Sequence, residues 1–286
     1  MSSRRIPHGE VWPTDDAFSS PPGRFNKPFF NANYIIEVGR KDSVFLGCGP
    51  QGPPLIRPME DGDMAGKSRR MDRTRIVDSR CAVEVILFDF GGVLAEEGFA
   101  EGLAAIAEKN GVDVETFVAL GHELVHETGF VTGRSNEAGY WQAVRRRAGI
   151  RGSDEVLREE ILTRFRLRPW MLEIVREVKN HGTRVGILSD QTLWLDELNA
   201  AHDFFRHFDH VFNSYHMGKS KMDPSHFRDV EEALQVNPEA ILFVDDNEGH
   251  IERARRQGWQ AILYVSKSGF TKAIEKYCPF IKASIP

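Results

Sequence analysis

The sequence predicts an α/β protein: a doubly wound parallel sheet with an all-helical cap inserted after its first strand. Two observations carry this. From about residue 82 onward, short β-branched and aromatic runs alternate with helix-length amphipathic stretches. Strands spaced in this way by helices form right-handed βαβ crossovers, and so a parallel sheet covered on both faces. Between about Glu97 and Arg168, by contrast, no strand signal occurs, so that stretch is an insertion large enough to be a separate helical unit.

The first strand is Val83 to Phe88, a buried run closed by Asp89 and the turn glycines Gly91 and Gly92. Helical patterns follow at Ala100 to Asn110, Val114 to Thr128, Asn136 to Ala148 and Asp154 to Phe165. Asp113, Ser135 and Ser153 are placed as N-caps, and glycines separate the helices. The period then changes. Pro169 to Lys179 is a helix with proline in its first turn and Gly182 past its end, and Arg184 to Leu188 is a buried strand. Thr192 to Ala201 is helical, Val211 to Asn213 strand-like, Pro224 to Leu234 a helix capped by Asp223, and Ala240 to Val244 a strand. Glu248 to Gln257 is a helix, Ala261 to Val265 a strand, and Lys272 to Tyr277 a last helix.

Residues 1–80 read differently. Nine of the 14 prolines fall in the first 60 residues, which argues for a largely disordered extension rather than a compact domain. Its one ordered-looking piece is a hairpin-like pair, Tyr34 to Val38 and Ser43 to Leu46. The basic run from Lys67 to Arg75 reads as a solvated linker in preference to an anion-binding arm. An internal translation start at Met64 or Met71 is a further alternative.

Composition excludes several function classes. At 41% hydrophobic and 28% charged, the chain is neither collagenous nor a coiled coil. It lacks an apolar run of the roughly 18 residues that a membrane span needs, and no apolar core follows Arg4 and Arg5 to make a signal peptide. A formal charge of -5 supplies too little positive field for nucleic acid to be the expected partner. Cys48, Cys81 and Cys278 lie far apart without paired spacing, a usage that suits a reducing cytoplasm better than a disulfide framework.

In a parallel sheet of this kind, ligands sit outside the carboxyl ends of the strands. Asp89 ends the first strand, Ser189 and Asp190 the second, and Asp245 and Asp246 the fourth, while Lys221 lies in the loop after the third. Taken singly, each aspartate reads as a turn former or helix cap. Together they crowd carboxylates on one rim at an electrostatic cost that a hard divalent cation relieves. Lys221 and Ser189 then have a task in holding the other oxygens of a phosphoryl group.

These residues carry a resemblance. Phe88-Asp89-Phe90-Gly91-Gly92-Val93-Leu94, Gly186-Ile187-Leu188-Ser189-Asp190, Gly218-Lys219-Ser220-Lys221-Met222-Asp223-Pro224 and Leu242-Phe243-Val244-Asp245-Asp246-Asn247 stand in order on the predicted strand ends. Across roughly Val83 to Val265 the chain resembles the haloacid dehalogenase superfamily, in particular its capped phosphatases with a Rossmann-like core. The resemblance implies a Mg²⁺-dependent phosphatase acting on a small phosphorylated metabolite, with sugar phosphates among the candidates. It implies Asp89 as nucleophile forming an aspartyl-phosphate, Ser189 and Asp190 at the phosphoryl group, and Lys221 offsetting charge. Asp89, the Gly91 carbonyl, Asp245 and Asp246 would hold or orient the metal.

One departure matters. Most phosphatases of the superfamily carry a second aspartate two residues after the nucleophile for proton transfer, and here that position is Gly91. General acid-base help contributes typically about 10² to 10⁴ in rate, so the expectation is slower turnover or a substitute group. Glu96, Glu97, Asp190, His122 and His126 are candidates, each more simply read as an ordinary surface or helix residue. Two other readings stand beside the phosphatase. A weakly active phosphate-binding protein is favoured by Gly91, and a dehalogenase is opposed by the acidic pair Asp245-Asp246. Tyr140, Trp141 and Phe130 read as core rather than pocket, Arg145, Arg146 and Arg147 as mostly solvent-facing, and His202, His207, His210 and His216 as lacking any metal-binding spacing.

Overall fold

The computed structural model describes residues 80–283; the hairpin-like pair, the basic run and the alternative start sites lie outside that range. Five parallel strands form one sheet in the order β3-β2-β1-β4-β5: β1 (Val85–Phe88), β2 (Arg184–Ser189), β3 (His210–Asn213), β4 (Ile241–Asp245) and β5 (Gln260–Leu263). The doubly wound α/β reading therefore holds. The sheet is entered at its centre by β1, then gains β2 and β3 on one side before the chain crosses to add β4 and β5 on the other. That reversal places the opening of the sheet beside the carboxyl end of β1.

The central strand is apolar because both of its faces are covered, and all four of its residues are fully buried. Its alternation sorts two cores. Val85 and Leu87 meet Phe212, Phe243 and the helices α8 (Pro224–Leu234) and α9 (Glu248–Arg256). Ile86 and Phe88 face the other core, which takes in α5 (Pro169–Asn180), α6 (Trp194–His202) and α10 (Lys267–Ile274).

Between β1 and α5 lie four helices and no strand: α1 (Gly98–Asn110), α2 (Val114–Glu127), α3 (Glu137–Ala148) and α4 (Asp154–Leu162). Asp113 and Ser153 cap α2 and α4 through their side chains, as the sequence predicts. For α3 the cap is Asn136, whose oxygen accepts from the Gly139 N–H at 3.0 Å, rather than Ser135. Tyr140, Trp141 and Phe130 are buried in the aromatic core that joins these helices to Trp194 of α6. A further short helix, α7 (Ser214–Met217), follows β3, and α10 begins and ends earlier than the periodicity predicts.

The cysteine expectation is corrected. Cys81 and Cys278 form a disulfide. The segment entering β1 runs beside the end of the chain, with the Ala82 N–H donating to the Tyr277 carbonyl at 2.7 Å. The two cysteines are 197 positions apart in sequence, so spacing gave no hint of this proximity. Among the described residues no helix is long and apolar enough to cross a membrane.

Candidate active site

Asp89 caps the end of β1, one residue before a wide turn at Phe90–Leu94 that the Ala95 N–H closes onto the Phe90 carbonyl at 2.9 Å. The turn needs Gly92. Its φ is +74°, and a Cβ there would stand 1.9 Å from a carboxylate oxygen of Asp246, so glycine allows that carboxylate to lie against the backbone. Asp89 Oδ1 accepts from the Phe90 N–H at 2.7 Å and from the Ser189 hydroxyl at 2.6 Å. Its Oδ2 faces the ammonium of Lys221 at 2.9 Å.

Lys221 is fully buried and bridges two carboxylates, with Asp245 Oδ2 at 2.6 Å on its other side. Asp190 explains how a loop residue is held so closely, since its carboxylate accepts the Lys221 backbone N–H at 2.8 Å and 3.1 Å. Asp245 is also tied by the Asn247 N–H at 2.7 Å, and the ring of His250 stands 3.2 Å away. The structure thus brings Asp89, Ser189, Lys221 and Asp245 together, with Asp246 at the rim and Asp190 anchoring the loop.

Charge in this cluster is unevenly compensated. Burial raises the Asp89 carboxyl to about 6 in spite of Lys221, with the Asp245 carboxylate adding to the rise. Burial would raise Asp245 as well, but Lys221 and His250 outweigh it and hold Asp245 well below the usual carboxylate range. Burial alone would lower Lys221, yet Asp245 and Asp89 raise it above the ordinary lysine value. Asp246 is open to solvent on one side, and even so partial burial and the neighbouring Asp89, Asp245 and Glu97 push it to about 7.

The crowding of carboxylates favours a cation. One ligand atom each from Asp89, Asp245 and His250 fall within 4.8 Å of one another, and Asp246 adds a carboxylate at the same rim. An oxygen-rich set with a surplus of negative charge suits a hard divalent ion such as Mg²⁺. Against Asp245 the His250 ring serves as a hydrogen-bond partner.

Above these groups opens a cavity of about 450 Å³, lined on the strand side by Asp89, Lys221 and Asp246 and on the helix side by Phe99, His122 and His126. Burial lowers the pKa of His122 and of His126. Of the five proton-transfer candidates, Glu96 is paired with Arg168 at 2.8 Å, which holds its carboxyl low, and it is absent from the cavity lining. Glu97 lines the cavity, and burial raises its carboxyl. Sequence reasoning missed His250. Its one signal was a histidine one helical turn past the cap residue Asn247, a spacing too common to stand out. His216 of α7 meets Asp196 at 2.6 Å. Arg145 pairs with Asp154 and Arg147 with Glu123 and Glu127.

With this geometry, known proteins offer a direct comparison. A family model described as haloacid dehalogenase-like hydrolase matches residues 83–258. The chain belongs to that family of hydrolases. A HAD family enzyme from Bacteroides thetaiotaomicron, solved in complex with magnesium and inorganic phosphate, superposes with a TM-score of 0.53 at 19% identity, covering 65% of this chain and 96% of that one. The L-2-haloacid dehalogenase of Xanthobacter autotrophicus, with chloropropionic acid covalently bound, superposes with a TM-score of 0.50 at 18% identity, covering 71% and 84%. At these identities the two structures speak for the fold alone. Bifunctional epoxide hydrolase 2 of Rattus norvegicus is 25% identical over 129 residues, 43% of this chain and 23% of that protein. The chain therefore matches less than a quarter of that relative's length.

Proposed function

We propose that this chain is a magnesium-dependent phosphatase that transfers the phosphoryl group of a small phosphorylated metabolite to Asp89 and then to water. The observation that carries the reading is Lys221, a fully buried ammonium between the Asp89 and Asp245 carboxylates. A dehalogenase needs one nucleophilic carboxylate; a second and third beside it, Asp245 and Asp246, are costly unless a cation and a polyanionic group enter.

The carboxylates of Asp89 and Asp245 would hold the ion, with Asp246 beside them. When bound, Mg²⁺ supplies positive charge that neutralises phosphoryl oxygens and aligns the ester with its attacker. The chain's own groups do the rest. Asp89 attacks phosphorus from the end of the central strand, kept in position by the Phe90 N–H. The Ser189 hydroxyl and the Lys221 ammonium, both within 3 Å of Asp89, are aimed where phosphoryl charge gathers. Helices α1 and α2 supply the opposite wall of the cavity, and we assign them with α3 and α4 to a cap that excludes water and selects the substrate.

The test is Mg²⁺-dependent phosphate release from 4-nitrophenyl phosphate by the parent and by Asp89→Asn, with chloride release from 2-chloropropionate assayed in parallel. Phosphate release by the parent alone, lost on chelation, is expected. Equal rates for the two proteins would leave a binding protein, and chloride release without phosphate release would establish the dehalogenase.

A further inference from the structure

We infer that Glu97 supplies the proton-transferring carboxyl that residue 91 lacks. The proposal rests on the phosphatase reading and deepens it. A Cβ built on Gly91 would stand 2.8 Å from Glu97 Oε2, with Phe165 at 3.4 Å and Gln191 at 3.5 Å. The space into which a side chain at position 91 would project is therefore filled by a carboxylate arriving from six residues downstream. Of the other nearby acids, Glu96 is committed to Arg168 and Asp190 to the Lys221 backbone, while Asp246 lies against Gly92, at the rim assigned to the metal, rather than over Gly91.

Placement follows from local structure. Glu97 is the cap of α1, where its Oε1 accepts the Ala100 N–H at 3.2 Å. That bond leaves the second oxygen, Oε2, over Gly91 in the turn after β1, and Glu97 lines the same cavity as Asp89. The helix that begins the inserted segment thus fixes the carboxylate. Glycine at 91 is what leaves room for it, because any larger residue would have to displace Oε2.

In the first half-reaction an Asp89 oxygen forms a bond to phosphorus as the bond from phosphorus to the ester oxygen breaks. The departing oxygen keeps that electron pair and takes the proton of the Glu97 carboxylic acid. In the second, the Glu97 carboxylate takes a proton from water as the water oxygen bonds to phosphorus. The bond from Asp89 to phosphorus breaks, its pair returning to the carboxylate. Alcohol and inorganic phosphate leave, and both side chains are restored.

Glu97→Gln keeps the capping oxygen and removes the proton donor, so it separates chemistry from architecture. The readout is kcat/KM, which reports the step that expels the leaving group, for two probes of similar shape. For phenyl phosphate, whose phenol has a pKa of about 10, the variant is expected to lose about 10²-fold, the lower end of what acid-base catalysis contributes. For 4-nitrophenyl phosphate, whose leaving group departs without help, the loss is expected to stay under about tenfold, with a burst of nitrophenolate as the aspartyl-phosphate accumulates. Gly91→Asp combined with Glu97→Ala is expected to regain at least about tenfold on phenyl phosphate over Glu97→Ala alone. Equal losses on both probes, no loss on either, or a double variant no faster than Glu97→Ala overturns the proposal. A parent protein inactive on both probes, and indistinguishable from Asp89→Asn, dismisses instead the phosphatase reading beneath it.

Discussion

Lys221→Met tests the electrostatic argument in the folded state, apart from any turnover. Methionine matches the length and volume of the lysine stem, so little cavity is created, and the ammonium it removes also stands over the Phe243 ring, 5.5 Å from its centroid. What is lost is the ammonium 2.6 Å from Asp245 and 2.9 Å from Asp89. Removing one partner of a buried charge cluster costs about 3 to 5 kcal/mol, because the remaining carboxylates stay desolvated and repel each other. For a folded unit of this size each kcal/mol moves Tm by about 2 to 4 °C, so metal-free protein at pH 8 is expected to melt about 6 to 20 °C lower than the parent. The deficit must shrink at pH 5, where protonating Asp89 removes the repulsion, and on adding Mg²⁺, which replaces the lost charge. Thermal melts by circular dichroism at both pH values, with and without Mg²⁺, measure all four numbers. A variant as stable as the parent at pH 8, or a deficit that neither pH nor Mg²⁺ changes, would refute the reasoning.

Two further predictions concern stability. In the metal-free folded chain Asp89 and Asp246 titrate near 6 and 7 against 3.8 for an ordinary aspartate. Through these two carboxyls the folded state retains protons that the unfolded state has released, and their contribution to stability falls as pH rises from about 4 through 7; His226, which burial lowers to about 4, acts oppositely between about pH 4 and 6.5, and Asp245, held low, loses its contribution only as pH falls below about 4. Added Mg²⁺ should flatten the fall above pH 4, which urea titrations at pH 5 and 8 would reveal, and an identical pH dependence with and without the ion would contradict the assignment. The disulfide closes a loop of 197 positions, for which the chain-entropy model gives roughly 5 kcal/mol as an upper bound. Cys278→Ser should lower the urea midpoint under oxidising conditions and leave it equal to that of the reduced parent, whereas an unchanged oxidised midpoint would show that the bond contributes nothing.

The parts of this molecule that the sequence made legible are those in which one residue type does one local job. The strand Val85–Phe88 is apolar at every position because nothing but a central parallel strand buries both of its faces, and the acidic and hydroxyl residues at strand ends follow from the topology alone. Asp113, Ser153 and Asp223 could be read as caps because capping is decided within three residues. Legibility failed where a contact depends on how distant segments meet. Cys81 and Cys278 were too far apart in sequence to be paired, and His250 owes its role to the strand that precedes its helix. Glu97 shows both limits. Its place near the nucleophile was readable, but a carboxylate one residue earlier, Glu96, was an equal candidate until the turn at Phe90–Leu94 sent the two in different directions, one to Arg168 and one over Gly91. At the start of α3 the pattern placed the cap at Ser135, and the backbone moved it one residue on, to Asn136.

In the proposed reaction the phosphoryl group passes through a covalent bond to Asp89. Acid quenching of the protein during turnover with 4-nitrophenyl phosphate and Mg²⁺, followed by peptide mass spectrometry, tests it most directly. A phosphorylated peptide whose modified residue is Asp89, absent when Mg²⁺ is withheld, is the expected result. Steady phosphate release with Asp89 unmodified and the label on another side chain, or on none, would contradict it.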